Sequence, residues 1–191
     1  MAQSSFILAS ASPRRSRLLR ELGVKFNVVP SDATEIHNEQ LTAGEVSQIN
    51  AYRKARAVAK KFPDAVVLGA DTLVYLDGTL FGKPTTLDDA RRMLEQLQGR
   101  THQVVTAVCL LNLRNHRQKT FMDMTFVTFR PLDAAAIERY FSRVDPLDKA
   151  GAYAIQEEGD AIVERIQGSY TNVVGLPVER LDQELKTWKV R

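Results

Sequence analysis

The stretch Phe6-Ile7-Leu8-Ala9-Ser10-Ala11-Ser12-Pro13-Arg14-Arg15-Ser16-Arg17-Leu18-Leu19 passes from one structural periodicity to another within fourteen residues. Phe6 to Ala9 is a short apolar run that reads as a strand, while Leu18, Leu19 and Leu22 recur on one face of a helix. Ser12 is placed to cap that helix, and Pro13 falls at its first position, where the missing N–H costs nothing. A strand that runs straight into a capped helix points to an α/β fold. The helix start also has the chemistry of an anion site. Its free N–H groups and macrodipole favour negative charge, and the planar forks of Arg14 and Arg15 match phosphate oxygens. An ordinary capped helix with solvated arginines fits the same spacing, and spacing alone does not separate the two.

The rest of the chain continues the alternation. Lys25 to Val29 reads as a second strand, Pro30 to Gln40 as a polar loop, and Thr42-Ala43-Gly44-Glu45 as a capping box opening a helix to about Lys61. Ala65 to Leu68 reads as a strand, followed by a hairpin of Thr72–Leu76 and Thr79–Phe81 turning at Asp77-Gly78. A helix over Leu87–Leu97 stops before Gly99. Val104–Leu113 and Thr120–Arg130 form a long antiparallel hairpin, and Asp133 caps a helix from Ala134 to about Ser142. Ala161–Ile166 reads as a strand, Gly168–Asn172 as a loop, and Pro177 opens a terminal helix. Residues 1–191 show no repeat or long linker, so one domain is expected, with two lobes around a cleft.

Hydrophobic residues make up 44% and charged residues 26%, the balance of a globular protein with one sizeable core. The net charge of +3 is spread among nearly as many carboxylates, which argues against a nucleic-acid surface. Cys109, the sole cysteine, sits in an apolar run and reads as a buried thiol, which excludes a disulfide framework within the chain and fits a reducing cytoplasm. Phe6–Ala9 is too short for a signal peptide core, and no apolar run is long enough to span a bilayer. A cytoplasmic protein without a membrane partner is expected.

Several residues stand where chemistry is plausible. Asp71 follows an apolar run and the small pair Gly69-Ala70, so it is expected where a buried strand emerges, with room for a ligand to approach. A carboxylate there suits a divalent cation or a proton from water. Lys54 lies on the helix stripe of Ala51, Ala55, Val58 and Phe62, either snorkelling to water or turned into a cleft against phosphate. Lys83 is held between Gly82 and Pro84, and Lys149 lies among small residues beside Asp148. The alternatives are an exposed edge lysine and a surface pair with Asp148. Glu35, in the polar loop, reads by itself as a solvated carboxylate. The three histidines show no zinc-ligand spacing, and no dinucleotide, Walker or nucleophile-elbow motif occurs. Several cations and at least one carboxylate converging on a polyphosphate would satisfy phosphoryl chemistry.

These residues sit in segments that closely resemble the Maf family of nucleoside triphosphate pyrophosphatases over nearly the whole chain. The resemblance is carried by Leu8-Ala9-Ser10-Ala11-Ser12-Pro13-Arg14-Arg15, Leu68-Gly69-Ala70-Asp71-Thr72, Gly82-Lys83-Pro84, Thr101-His102-Gln103-Val104, Asp148-Lys149-Ala150-Gly151-Ala152-Tyr153 and Val174-Gly175-Leu176-Pro177. It implies a mixed, elongated α/β sheet flanked by helices, like inosine triphosphate pyrophosphatases, with a central cleft. It implies hydrolysis of a nucleoside triphosphate to monophosphate and pyrophosphate with a divalent metal, Mg²⁺ or Mn²⁺.

By the same resemblance Asp71 is the proton acceptor or a metal-linked carboxylate, and Glu35 joins it in the acidic site. Ser12, Arg14, Arg15, Lys54, Lys83 and Lys149 become phosphate or substrate contacts. Arg14, Thr72 and Gln156 match positions tied to the dTTP/UTP branch, and Gln156 offers the donor and acceptor that suit a pyrimidine edge. The alternatives are another substrate of the family such as 7-methyl-GTP, or a non-enzymatic nucleotide- or nucleic-acid-binding regulator of cell division. Family members are often dimers, so a homodimer is an expected partner. Three positions depart from the family pattern: Asn50 where leucine is usual, Arg53 where an acidic residue is common, and Glu157 where glycine is typical.

Overall fold

The computed structural model describes residues 5–38 and 40–190; residues 1–4, 39 and 191, with the parts of the sequence reading that fall on them, lie outside the described residues. A seven-stranded mixed sheet runs through the molecule in the order β2-β1-β3-β5-β6-β7, with β4 paired to β3 off this path. The strands are β1 (Phe6–Leu8), β2 (Asn27–Val28), β3 (Val66–Leu76), β4 (Thr79–Phe81), β5 (Thr101–Asn112), β6 (Arg117–Phe129) and β7 (Val163–Gln167). The helices are α1 (Pro13–Glu21), α2 (Ala43–Ala59), α3 (Leu87–Leu97), α4 (Ala134–Phe141), α5 (Gly159–Ile162), α6 (Tyr170–Val174) and α7 (Val178–Thr187). β1 pairs in parallel with β2 and β3, and the remaining ladders are antiparallel.

Local signals form the elements they announce. Ser12 caps α1 with Pro13 at its start, and Thr42 and Glu45 close the capping box of α2. Thr86 and Asp133 cap α3 and α4 with their side chains. Such caps satisfy backbone N–H groups that the helix itself leaves unpaired.

Both faces of the sheet are covered. Strand alternation sends Val66, Leu68 and Ala70 into one core with Leu18 and Leu19 of α1 and Leu181 and Leu185 of α7. It sends Val67 into another with Ala51, Ala55 and Val58 of α2 and Cys109 of β5. A third core packs α3 and α4 against Val74, Phe129 and Tyr153. Cys109 is fully buried, and burial raises its thiol pKa to about 11, so it packs as an inert apolar group.

Several boundaries differ from the sequence reading. β2 is confined to Asn27–Val28 because its partner β1 is only Phe6–Leu8, leaving register for two pairs, Ile7 with Asn27 and Leu8 with Val28. Phe62 lies beyond the end of α2 and is 42% exposed, so it is not on the buried stripe. Gly159–Ile162 is a helical turn, so β7 begins at Val163 instead of Ala161. The expected loop at Gly168–Asn172 contains the start of α6, capped by Ser169. That turn is fixed from outside, since Asn172 Nδ2 donates to Val104 O and Thr125 Oγ1, both at 3.0 Å.

The largest difference concerns Asp71. It does not stand where a strand emerges; it is inside the continuous strand β3, paired with Ala107 of β5. Gly69 leaves room for a helix, not a ligand. A Cβ there would lie 2.3 Å from Ala51 O and 2.6 Å from Ala55 N. The glycine lets α2 press onto the strand. No helix among the described residues is long and apolar enough to cross a membrane.

Candidate active site

The edge of β3 away from β5 is paired at both ends and open in the middle. β1 covers Val66–Leu68 and β4 covers Val74–Leu76, leaving positions 69–73 uncovered on that edge. The chain leaves β1 at this opening and turns into α1. The cleft therefore lies beyond the carboxyl end of a parallel strand, where open α/β sheets place their ligands. Ser12, Arg14, Arg15, Glu35, Lys54, Asp71, Thr72, Lys83, Lys149 and Gln156 all line it. The structure thus brings every site residue anticipated from the sequence into one cleft.

Asp71 is buried on the α2 side. Its Oδ1 accepts a 2.6 Å hydrogen bond from Lys54 Nζ, and its Oδ2 a 3.1 Å bond from Asn50 Nδ2. Lys54 Nζ lies equally close, 2.6 Å, to Glu35 Oε1 and also donates to Ala70 O at 3.5 Å. Lys54 is therefore neither a snorkelling lysine nor one turned only toward phosphate: its ammonium sits between two carboxylates. Burial pushes the Glu35 carboxyl up, but the hydrogen bond and charge of Lys54, aided by Lys83 and Arg15, hold it below its ordinary value. Glu35 is thus not the solvated carboxylate its loop suggested when read alone.

The opposite face of β3 belongs to α1. Thr72 Oγ1 accepts from Arg15 NH2 at 3.0 Å and shares a hydrogen bond with Thr106 Oγ1. Arg15 further donates from Nε to Gly175 O at 3.0 Å and from NH1 to Ser10 Oγ at 3.2 Å. Burial lowers the Arg15 pKa from its ordinary value, countered in part by the charge of Asp71. All three of its nitrogens are engaged, which makes it a brace between α1, β3 and the turn after α6.

Arg14 points to a third group. Its NH1 meets Asp148 Oδ2 at 2.8 Å and its NH2 donates to Asp148 O at 3.1 Å. Lys149 Nζ contacts Asp148 Oδ1 at 2.6 Å, Asp145 O at 2.7 Å and Glu157 Oε2 at 3.4 Å. Lys149 is buried while the Asp148 side chain is 47% exposed, so the pair runs from the interior to the cleft and is not the wholly surface pair of the alternative reading. Burial raises the Asp148 carboxyl, but Lys149 and Arg14 outweigh it and hold it low. Glu157 thereby has a partner in Lys149.

Lys83 is exposed and makes no hydrogen bond or ion pair among the described residues, so its ammonium is available to a ligand. Gln156 Oε1 accepts from Arg17 NH2 at 3.2 Å, which leaves the amide NH₂ as its donor. Beneath the cleft, Tyr153 OH lies 2.8 Å from His102 Nε2, and Phe129 packs edge-on against both rings.

Two groups in the site escaped the sequence reading. Asp148 was weighed only as a partner for Lys149, and Asn50 only as a departure from the family pattern. Asn50 had a signal: it precedes Lys54 by four residues, so the two share a helix face.

Glu35 Oε1 and Asp71 Oδ1 converge on one point, the position Lys54 Nζ holds. Two hard oxygen donors aimed at one point suit Mg²⁺ or Mn²⁺, which take one or two carboxylates and complete their shells with phosphate oxygens and water. No group of three or more His, Cys, Asp or Glu among the described residues could hold a metal by itself.

Comparison with known proteins agrees with this picture. The family model for Maf-like proteins matches residues 5–188. The chain is 45% identical to the dTTP/UTP pyrophosphatase of Acetivibrio thermocellus, over 96% of this chain and 95% of that protein. It is also 45% identical to the dTTP/UTP pyrophosphatase of Bacillus velezensis, over 97% of each. Among solved structures, the Staphylococcus aureus Ham1 protein superposes with a TM-score of 0.55 at 15% identity, covering 97% of this chain and 100% of that one. That likeness concerns the fold. It bears out the mixed α/β sheet flanked by helices, which the two proteins share.

Proposed function

The chain belongs to the Maf-like protein family, and on that footing we propose that it hydrolyses dTTP and UTP to the nucleoside monophosphate and pyrophosphate. Full-length relatives named for this activity support the substrate. The observation that carries the chemistry is the cleft itself, where Lys54 lies between Glu35 and Asp71 while Arg14, Lys83 and Lys149 line the same space.

Hydrolysis at the α-phosphorus requires a water in line with the leaving pyrophosphate and charge neutralisation on the phosphate oxygens. Asp71 accepts the proton as the water oxygen bonds to the α-phosphorus. The bond from that phosphorus to the bridging oxygen breaks, and its electrons leave with pyrophosphate. Lys83, which makes no hydrogen bond or ion pair among the described residues, takes the most exposed phosphate oxygens. Arg14 and Lys149, already paired with Asp148, present the remaining cationic wall. Glu35 and Asp71 would hold Mg²⁺ or Mn²⁺, which supplies neutralisation of the phosphate oxygens. Lys54, whose ammonium lies between these carboxylates in the cleft wall, adds a positive charge beside the phosphate oxygens. The amide NH₂ of Gln156 suits the carbonyl edge of uracil or thymine, and Arg14 and Thr72 frame the nucleotide from the α1 side.

The test is a panel of nucleoside triphosphates, including 7-methyl-GTP, with Mg²⁺ or Mn²⁺. The expected result is equimolar pyrophosphate and monophosphate from dTTP and UTP. Asp71→Asn should lower the rate by about 10²-fold or more. Orthophosphate as first product, or preferential turnover of 7-methyl-GTP, would overturn the assignment.

A further inference from the structure

We propose that Asn50 is a positioning residue for the reaction, locking the loop that carries Glu35 onto the α2 face so that its carboxylate and that of Asp71 converge. This rests on the hydrolytic reading above and adds to it a residue outside the cleft lining, at a position where the family pattern has leucine.

Asn50 is 1% exposed, on α2. All the hydrogen-bonding groups of its amide that face the site are used. Oδ1 accepts from Ile36 N at 2.8 Å, Nδ2 donates to Ile36 O at 3.2 Å, and Nδ2 also donates to Asp71 Oδ2 at 3.1 Å. The first two bonds pair the side-chain amide with both backbone groups of one residue, as a neighbouring strand would. The residue so held is the one after Glu35.

The orientation of the amide is determined by this network. Turning it over would set Nδ2 against the Ile36 N–H and Oδ1 against the Asp71 carboxylate, replacing three bonds with donor–donor and acceptor–acceptor contacts. Asn50 is thus a rigid three-way junction between a helix, a strand and a loop.

In this chain the junction acts on a loop that has no regular structure of its own. Positions 30–38 have no helix or strand, and Glu35 is itself 41% exposed at its side chain. A carboxylate on an irregular segment has many positions open to it, and only those near Asp71 serve the chemistry. Lys54 draws Glu35 inward by charge from the same helix face, but a charge does not fix the backbone direction. The reciprocal pair with Ile36 does. Bond by bond, Asn50 sets where the loop crosses the cleft, and the Asp71 bond turns Oδ1 toward Lys54 and the ligand. The groups facing this pair from every side are Lys54 on α2, Arg15 on α1 and Lys83 after β4.

The experiment compares wild type, Asn50→Leu and Asn50→Asp. Leucine, the usual residue of the family pattern here, fills the space without hydrogen bonds; aspartate keeps the shape and the acceptor for Ile36 N–H but loses both donor bonds, to Ile36 O and to Asp71, and sets a carboxylate oxygen against each. Thermal unfolding is read first, and kcat is measured well below the midpoint, so that it refers to folded enzyme. UTP affinity is measured separately, by calorimetry in EDTA. The expected result is a fall in kcat of about tenfold or more in both variants, as for outer partners of metal-binding carboxylates, with the UTP dissociation constant within about threefold of wild type. A smaller fall in kcat, or a loss of UTP affinity in step with it, overturns the proposal. A residue that only packs would lower the unfolding midpoint and leave kcat of the folded protein unchanged. If Asn50→Leu does not fold, Asn50→Asp is judged by the same criteria. A wild type that releases no pyrophosphate overturns the hydrolytic reading instead.

Discussion

Asp71 and Thr72 are neighbours in sequence and face opposite sides of the sheet, Asp71 bonded to Lys54 of α2 and Thr72 to Arg15 of α1. The strand separates two tasks that both serve one ligand. On one side carboxylates gather; on the other an arginine ties the helix N-terminus to the strand. Because the strand edge is open at 69–73, both sides reach the same cleft.

Lys54→Met removes the ammonium between two carboxylates and leaves Asp71 buried without its counter-charge. Breaking such a pair should cost about 3 kcal/mol of stability. The vacated point is the one at which the proposed reading puts a divalent cation. Mg²⁺ should therefore raise the unfolding midpoint of Lys54→Met by more than it raises that of wild type, as differential scanning calorimetry with and without the metal will read.

Gln156→Glu replaces the amide NH₂ with an acceptor, while Arg17 keeps its partner. Uracil and thymine offer a carbonyl at the edge where cytosine offers an amino group. The variant should lose about tenfold in kcat/KM for UTP and gain relative activity on CTP, read in a competition assay with both nucleotides.

His102 is buried and kept neutral: burial lowers its pKa from 6.5 to about 3. The unfolded chain binds a proton below 6.5 that the folded one refuses until about 3. Its contribution is intact above 6.5 and is lost as pH falls from there, by about 1.4 kcal/mol per unit. Denaturant midpoints between pH 7 and pH 4 should fall less steeply in His102→Gln, which keeps a hydrogen-bonding group beside Tyr153 OH.

Gly69→Ala places a methyl 2.3 Å from Ala51 O, a backbone atom that cannot swing aside. Helix α2 must shift, at a cost of about 1–3 kcal/mol. Because α2 carries Asn50 and Lys54, kcat should fall along with the unfolding midpoint. Steady-state kinetics on the folded variant will measure it.

Local chemistry was legible in the chain, and distant chemistry was not. Ser12 with Pro13, and Thr42 with Glu45, announce helix starts because capping involves residues within one turn. The motifs carrying Lys83, Lys149 and Gln156 were legible as a set, through resemblance. Gly69 and Ala70 look like a break that ends the strand before Asp71, when the smallness of Gly69 answers to α2, a helix formed by residues 43–59, and Ala70 packs into the core on the other face. The turn at Tyr170–Val174 was missed for the same reason, since Asn172 is held by Val104 and Thr125 from other strands. The roles of Asn50 and Asp148 depend on partners that periodicity does not name.

The open segment of β3 has a consequence for solubility. A bare strand edge is a template on which another chain can pair and begin to aggregate. Here the bare part ends at β1 on one side and β4 on the other, so it is bounded by paired strand at both ends. Lys54 crosses it, donating to Ala70 O, and Lys83 stands at its rim. The charges assigned here to a polyphosphate also fence off foreign backbone, so the cleft shelters the interruption in pairing along this strand.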